Sequence, residues 1–178
     1  MVETNLLLSI AFGIISNFNA VVHIPPAGLP QKPEDLQQAV IGSPHSPIDL
    51  WLVHKRGDEF WISDGVVINY EGSGSWRHHH NPKDQRRLVG VPFMSSNEVK
   101  SLALDTLHAL LKGPDPFKNV APVITDTGDP EYPFYELNWP NPRMKSYGGL
   151  ATIEIDASRR QVVHLQLWTP EFYDFPFA

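Results

Sequence analysis

Residues 95–113 read SSNEVKSLALDTLHALLKG, and this stretch decides the fold class. Ser95 and Glu98 have the S-x-x-E spacing of a capping box, in which each side chain satisfies a backbone N–H at the start of a helix. Apolar residues then recur at spacings of three and four, which is the pattern of one buried helix stripe. Gly113-Pro114 ends the pattern. The stretch therefore predicts one long helix with a single apolar face.

Stretches rich in β-branched and aromatic residues lie on both sides of this helix. They are residues 48–55, 59–63 and 66–70 before the helix and residues 132–139, 150–156 and 162–168 after it. Short turns, including Asp64-Gly65, separate neighbouring stretches and favour hairpins between them. Because strands and helices do not alternate, the pattern predicts an α+β fold in which the long helix packs on one face of an antiparallel sheet of five to six strands.

Residues 48–178 are predicted to form a single α+β domain, with a meander over 48–75 and the helix and later strands over 95–168. Residues 1–47 are predicted to be an N-terminal helical arm followed by a Pro-rich connector. Its apolar run, Leu6 to Ile15, is shorter than the roughly 20 residues of a transmembrane helix, and two interpretations stay open: a signal-like segment or a first helix that packs on the core. Prolines from Pro25 to Pro47 predict an irregular connector, with a short helix from Pro33 to Gly42.

Composition excludes several classes of partner and chemistry. With 14 Lys+Arg against 20 Asp+Glu and a net charge of -6, the chain lacks the basic field that nucleic-acid binding needs. It has no cysteine, which excludes disulfides, thiolate zinc sites and a thiol nucleophile. Glycine-rich phosphate-binding loops are missing from the sequence as well. We therefore expect no nucleic-acid partner, no transmembrane span and no cofactor.

From Ser95 to Leu167 the order of elements resembles a PepSY-type domain, whose layout is cystatin-like. The capped helix is followed by the extended stretch PFYELNW and by the hairpin ATIEIDASRRQVVHLQL. In that family the first hairpin strand typically ends in Asp-Ala and the second begins with Val, as Asp156-Ala157 and Val162 do here. The resemblance implies an exported or envelope-associated, non-catalytic module, attached in some members to proteases. It therefore favours a secreted or periplasmic protein over a cytoplasmic one.

Aromatic residues are the enriched chemical resource of the chain, which has five tryptophans. Most are expected in the core, where aromatic side chains dominate burial. Trp139 and Trp168 lie at predicted strand ends, and together with Trp76 they are candidate binding residues that would form an exposed platform for a sugar ring or a Pro-rich peptide. The C-terminal EFYDFPFA is expected to dock on its own domain or on a neighbouring subunit.

Consecutive histidines, His78-His79-His80, raise the possibility of a metal site. Alternate side chains of an extended loop share one side, so His78 and His80 can converge, and Asp84, Glu71 or His108 could supply a third ligand. The alternative is a solvated loop. The leading functional hypothesis is a non-enzymatic binding or regulatory module that recognises a protein or peptide, with a protease as one candidate, through an edge strand or the aromatic strand ends. A small metal-assisted hydrolase using the His78–His80 loop and a homo-oligomer held by the aromatic tail are the alternatives.

Overall fold

The computed structural model describes residues 2–22, 29–43, 46–55, 58–63, 65–72, 92–111, 114–126, 133–141 and 149–167. The helices are α1 (Val2–Val22) and α2 (Ser96–Leu110), and a short 3-10 helix covers Pro33–Asp35. The strands are β1 (Leu36–Ser43), β2 (Ser46–Lys55), β3 (Asp58–Ser63), β4 (Val66–Glu71), β5 (Val123–Asp126), β6 (Phe134–Pro140), β7 (Gly149–Asp156) and β8 (Gln161–Leu167). Within the described part of the chain, no helix is both long enough and apolar enough to cross a membrane.

The eight strands of the described residues form one antiparallel sheet in the order β1-β2-β3-β4-β8-β7-β6-β5. The α+β class and the antiparallel sheet are confirmed. The predicted strand number of five to six is wrong, because β1 and β5 were not recognised. The long helix predicted on the sheet is α2, which has 15 residues, and the predicted N-terminal helical arm contains α1, which has 21 residues. The described part of the chain therefore has two long helices on the sheet rather than one.

The predicted short helix from Pro33 to Gly42 is wrong as well. Pro33 and the acids after it form only a 3-10 turn, and Leu36 is already extended at φ -107 and ψ 129. From there β1 pairs with β2 along its whole length, from Leu36 opposite Val53 to Ser43 opposite Ser46. Hairpin pairing between neighbouring strands therefore overrides the helix-start composition of this segment.

One face of the sheet, called here the helix face, forms the core with both helices. Residues paired in register lie on the same face, and one apolar row crosses six strands on the helix face. This row is Val53, Phe60, Tyr70, Leu165, Ile153 and Leu137, all at most 2% exposed. Burial of these side chains against the helices supplies the main stabilisation of the fold.

Helix α1 packs on β3 and β4 of the helix face. Ile15 is fully buried, and the Phe18 ring lies 6.0 Å from that of Phe60 and 5.4 Å from that of Tyr70. Burial, and secondarily the charge of Asp58, raise the pKa of the Tyr70 hydroxyl above its ordinary value. Of the two interpretations of the N-terminal run, the first helix packed on the core describes how residues 2–22 lie in the structure.

Helix α2 has the predicted capping box and a long-range ion pair beside it. Glu98 N–H donates to Ser95 Oγ at 3.4 Å, and Ser95 N–H donates to Glu98 Oε2 at 2.8 Å. Glu98 Oε1 also accepts from Arg160 Nη2 at 2.8 Å. Arg160 has a positive φ of 58° in the β7–β8 turn. The start of α2 is therefore tied to the closing hairpin of the sheet.

These contacts predict how acid affects α2. The hydrogen bond from Arg160, followed by the bonds from Ser95, lowers the pKa of Glu98 from 4.5 to about 2. A carboxyl whose pKa is lower in the folded state stabilises the fold above its unfolded pKa and loses that contribution as pH falls through the folded pKa. We therefore expect the stability of the wild type to fall more steeply than that of Glu98→Gln between pH 4.5 and pH 2, because the variant lacks the contribution of this carboxylate. Urea midpoints of both proteins along this pH range measure the difference, and parallel curves would contradict the pair.

Candidate functional site

The residues singled out from the sequence fall into two groups in the structure. Trp139 is fully buried on the helix face, opposite Ala151, with its ring 5.7 Å from that of Phe117. Its predicted place in an exposed platform is therefore wrong, because position in a strand does not reveal which face a side chain occupies. Its indole N–H has no hydrogen-bond partner among the described residues. The remaining candidates, Trp76, Trp168, His78, His80 and Asp84, lie outside the described residues.

The other sheet face, on which neither α1 nor α2 packs and which is called here the helix-free face, carries a row of ionisable side chains. The row consists of Glu59 on β3, Glu71 on β4, His164 on β8, Glu154 on β7 and Glu136 on β6, each in register with the next. His164 and Glu154 are 2% and 6% exposed at the centre of the sheet, whereas Glu136 near the edge is exposed. We call this set the acidic row.

A second polar row lies beside the acidic row. It begins with the partly buried Trp61 and continues with four polar residues, again paired in register: Asn69, Gln166, Thr152 and Asn138. The indole N–H of Trp61 donates to Glu59 Oε1 and fixes one end of the acidic row. The two faces of the sheet thus differ sharply in polarity, since the helix face is apolar from Val53 to Leu137.

The acidic row was not recognised from the sequence, although a signal was present. Two polar residues two positions apart occur in each of four strands, as expected for strands with one polar face; they are Asn69 and Glu71, Glu136 and Asn138, Thr152 and Glu154, and His164 and Gln166. Only the register brings them together, because β4 and β8 are far apart in the chain. Among the described residues, no group of His, Asp and Glu is arranged to hold a metal ion. The acidic row is thus a line of ionisable side chains that is buried at His164 and Glu154 and becomes exposed at Glu136 on β6.

Strand β5 is the edge strand next to this exposed end. It consists of Val123, Ile124, Thr125 and Asp126, all exposed, with Val123 61% and Ile124 38% exposed. Within the described part of the chain its single strand neighbour is β6. In an antiparallel ladder alternate residues direct their N–H and C=O away from the neighbour, so β5 offers backbone hydrogen-bonding groups to a further strand. It contains none of the proline or lysine residues that commonly protect an edge.

The segment before β5 is anchored to the core. Phe117 is buried against Trp139, and its N–H donates to Asp115 Oδ1 at 2.8 Å. Asp115 Oδ2 lies 3.3 Å from His108 Nε2 in the last turn of α2. These contacts fix the chain on its way from α2 to the sheet edge. The edge is therefore presented by a packed scaffold, which reduces the entropy that a partner must remove on binding.

A separate apolar groove of ≈ 250 Å³ lies between α1 and the end of the sheet. It is lined by Leu7, Ile10, Ala11, Ile14, Leu36, Ile62 and Gly65. None of the described residues that line the groove is charged, so none of them would select a charged ligand. Nothing in its chemistry identifies an occupant, so it ranks below the β5 edge as a site.

Comparison of the chain with family models, curated proteins and solved structures gave no match.

Proposed function

We propose that this protein is a non-enzymatic binding module that recognises an extended protein or peptide segment by adding it as a strand to β5. The observation that carries the proposal is that all four residues of the edge strand β5 are exposed, including the β-branched Val123 and Ile124 at 61% and 38%. Backbone hydrogen bonds along such an edge supply affinity, and side chains on alternate faces supply specificity. A partner must therefore present an extended stretch of backbone.

Two further features support a protein or peptide as the partner. The PepSY-type resemblance of residues 95–167 implies a non-catalytic module that in some members accompanies proteases. In addition, the anchoring of the segment between α2 and β5 through Phe117 and Asp115 gives the edge a fixed position. A protease remains a candidate partner within this proposal.

The proposal is tested with eight-residue fluorescent probe peptides that alternate valine with lysine, glutamine or glutamate. Binding to the full chain is measured by fluorescence anisotropy, and the site is located by amide hydrogen exchange. We expect at least one probe to bind and to slow exchange within residues 123–126, because added backbone bonds protect amides that faced solvent. The proposal is contradicted if no probe binds with a Kd below about 1 mM, which corresponds to a binding free energy of about 4 kcal/mol. It is also contradicted if a bound probe protects only the amides of β1.

Proline variants distinguish the edge from the rest of the surface. Proline removes a backbone donor, and an edge strand tolerates it where the N–H faces solvent. Because the N–H groups of alternate residues face outward, either Ile124→Pro or Thr125→Pro removes an outward donor. We expect that variant to lose probe binding, while its urea midpoint stays near the wild-type value. The matched controls are Gln37→Pro and Gln38→Pro on the exposed start of β1, which should leave binding unchanged. Loss of binding in the controls would place the site elsewhere.

A further inference from the structure

The acidic row reaches the β5 edge through an exposed carboxylate. Thr125 on β5 is in register with Glu136 on β6, which is in register with Glu154 on β7, so the three side chains lie on the helix-free face. Glu136 is exposed and makes no ion pair with any described residue. The last charge of the acidic row is thus one strand away from the edge and open to solvent.

A strand added to β5 would bring its side chains within reach of this charge. Neighbouring strands lie about 4.8 Å apart, so a residue opposite Thr125 would have its Cα about 10 Å from that of Glu136. The long stems of lysine and arginine can lie along a surface while the charged group reaches a partner. The short Thr125 side chain lies between the two and leaves the path open. The net charge of -6 also attracts a basic segment during encounter.

On the helix face of β5, the position of Ile124 favours an apolar neighbour. Ile124 is in register with Leu137, which is fully buried and is itself in register with the fully buried Ile153. Ile124 is 38% exposed at the end of this apolar row. An apolar side chain opposite Ile124 would extend the row by one strand and remove apolar surface from water.

Building on the proposed function, we infer that the segment recognised at β5 alternates basic and apolar side chains. A basic residue lies opposite Thr125 and is recognised by Glu136, and an apolar residue lies opposite Ile124. The partner is thus an extended basic segment of a protein or peptide. Main-chain bonds to β5 hold the segment, and the difference in polarity between the two sheet faces sets which of its faces points to the acidic row.

Affinities of the lysine, glutamine and glutamate probes for wild type and for Glu136 variants test this inference. In wild type we expect the lysine probe to bind about threefold to fivefold more tightly than the glutamine probe, as an exposed ion pair allows. Glu136→Gln should bring the two affinities together, and Glu136→Lys should make the glutamate probe the tighter one. The preference should shrink as salt concentration rises.

The control variant is Glu59→Gln, which removes the same kind of charge from the far end of the acidic row on β3. It should leave the order of the probes unchanged. A probe with serine in place of valine should bind about fivefold to tenfold more weakly, because the contact with Ile124 is lost.

Failure of this inference can be told apart from failure of strand addition. If the three probes protect the β5 amides but bind wild type with equal affinity, the proposed addition of a strand to β5 is supported. The inference that Glu136 recognises a basic residue is then overturned. If Glu59→Gln abolishes the lysine preference while Glu136→Gln keeps it, the charge is read elsewhere and the inference is also overturned. If no probe reaches β5, the proposed function itself fails.

Discussion

Trp139→Ala should lower the free energy of unfolding by about 3–5 kcal/mol, the usual cost of removing a large buried aromatic side chain. The Trp139 side chain is fully buried, and Ala151 opposite it is too small to fill the space that the indole would leave. The substitution also removes the packing of Phe117, which anchors the segment before β5. Urea denaturation followed by circular dichroism measures the change.

Two further variants make this result specific. Trp139→Phe should cost less, because it keeps much of the packing and removes an indole N–H that has no partner among the described residues. Trp61→Ala, on the helix-free face and only half-buried, should also cost less than Trp139→Ala. A loss below about 1 kcal/mol for Trp139→Ala would mean that the indole is outside the core, and would restore the exposed platform as a candidate site.

Ile15→Asp should lower stability by about 3–5 kcal/mol or prevent folding, because it places an unpaired charge in an apolar interior. The Ile15 side chain is fully buried, and its neighbour along the helix, Phe18, packs on Phe60 and Tyr70. The matched control is Leu6→Asp on the same helix, at a residue that is 60% exposed, and it should have little effect. Thermal and urea denaturation of the two variants give the comparison.

The pair of variants also tests the role of α1. If α1 did not pack on the sheet, Ile15→Asp and Leu6→Asp would behave alike, because both positions would face water. If Ile15→Asp does not fold, the milder Ile15→Val should still lower the free energy of unfolding by about 0.5–1.5 kcal/mol, since it removes one buried methyl group. Equal stability of Ile15→Val and wild type would contradict the packing of α1 on the helix face.

Local patterns predicted the parts of the fold that local physics determines. The capping box of Ser95 and Glu98 defines the start of α2 within a few residues, and the β7–β8 hairpin is closed by a short turn. The same holds for the meander from β2 to β4, although β2 begins earlier than expected, at Ser46. In each case neighbouring residues in sequence make the decisive contacts.

The missed elements depend on pairing between strands. The four residues of β5 follow a stretch rich in proline and aspartate, and their strand conformation comes from pairing with β6. An edge strand was expected to bind a partner, but its position could not be predicted without the strand order. The acidic row was missed for the same reason, because Glu71 and His164 meet only through the β4–β8 register. The wrong placement of Trp139 likewise reflects a face that the register alone determines.

The order of elements also gives the chain an internal symmetry. A helix followed by a four-stranded meander occurs twice, as α1 with β1–β4 and as α2 with β5–β8, and the last strands of the two halves pair antiparallel around Tyr70 and Leu165. Two identical subunits join in this way across a two-fold axis, so the single chain is arranged like a fused dimer. The outer strands β1 and β5 then occupy equivalent positions, yet β1 exposes Gln37 and Gln38 where β5 exposes Val123 and Ile124. The two equivalent edges therefore differ in chemistry, and the partner proposed for β5 would meet amide side chains in place of β-branched ones at β1.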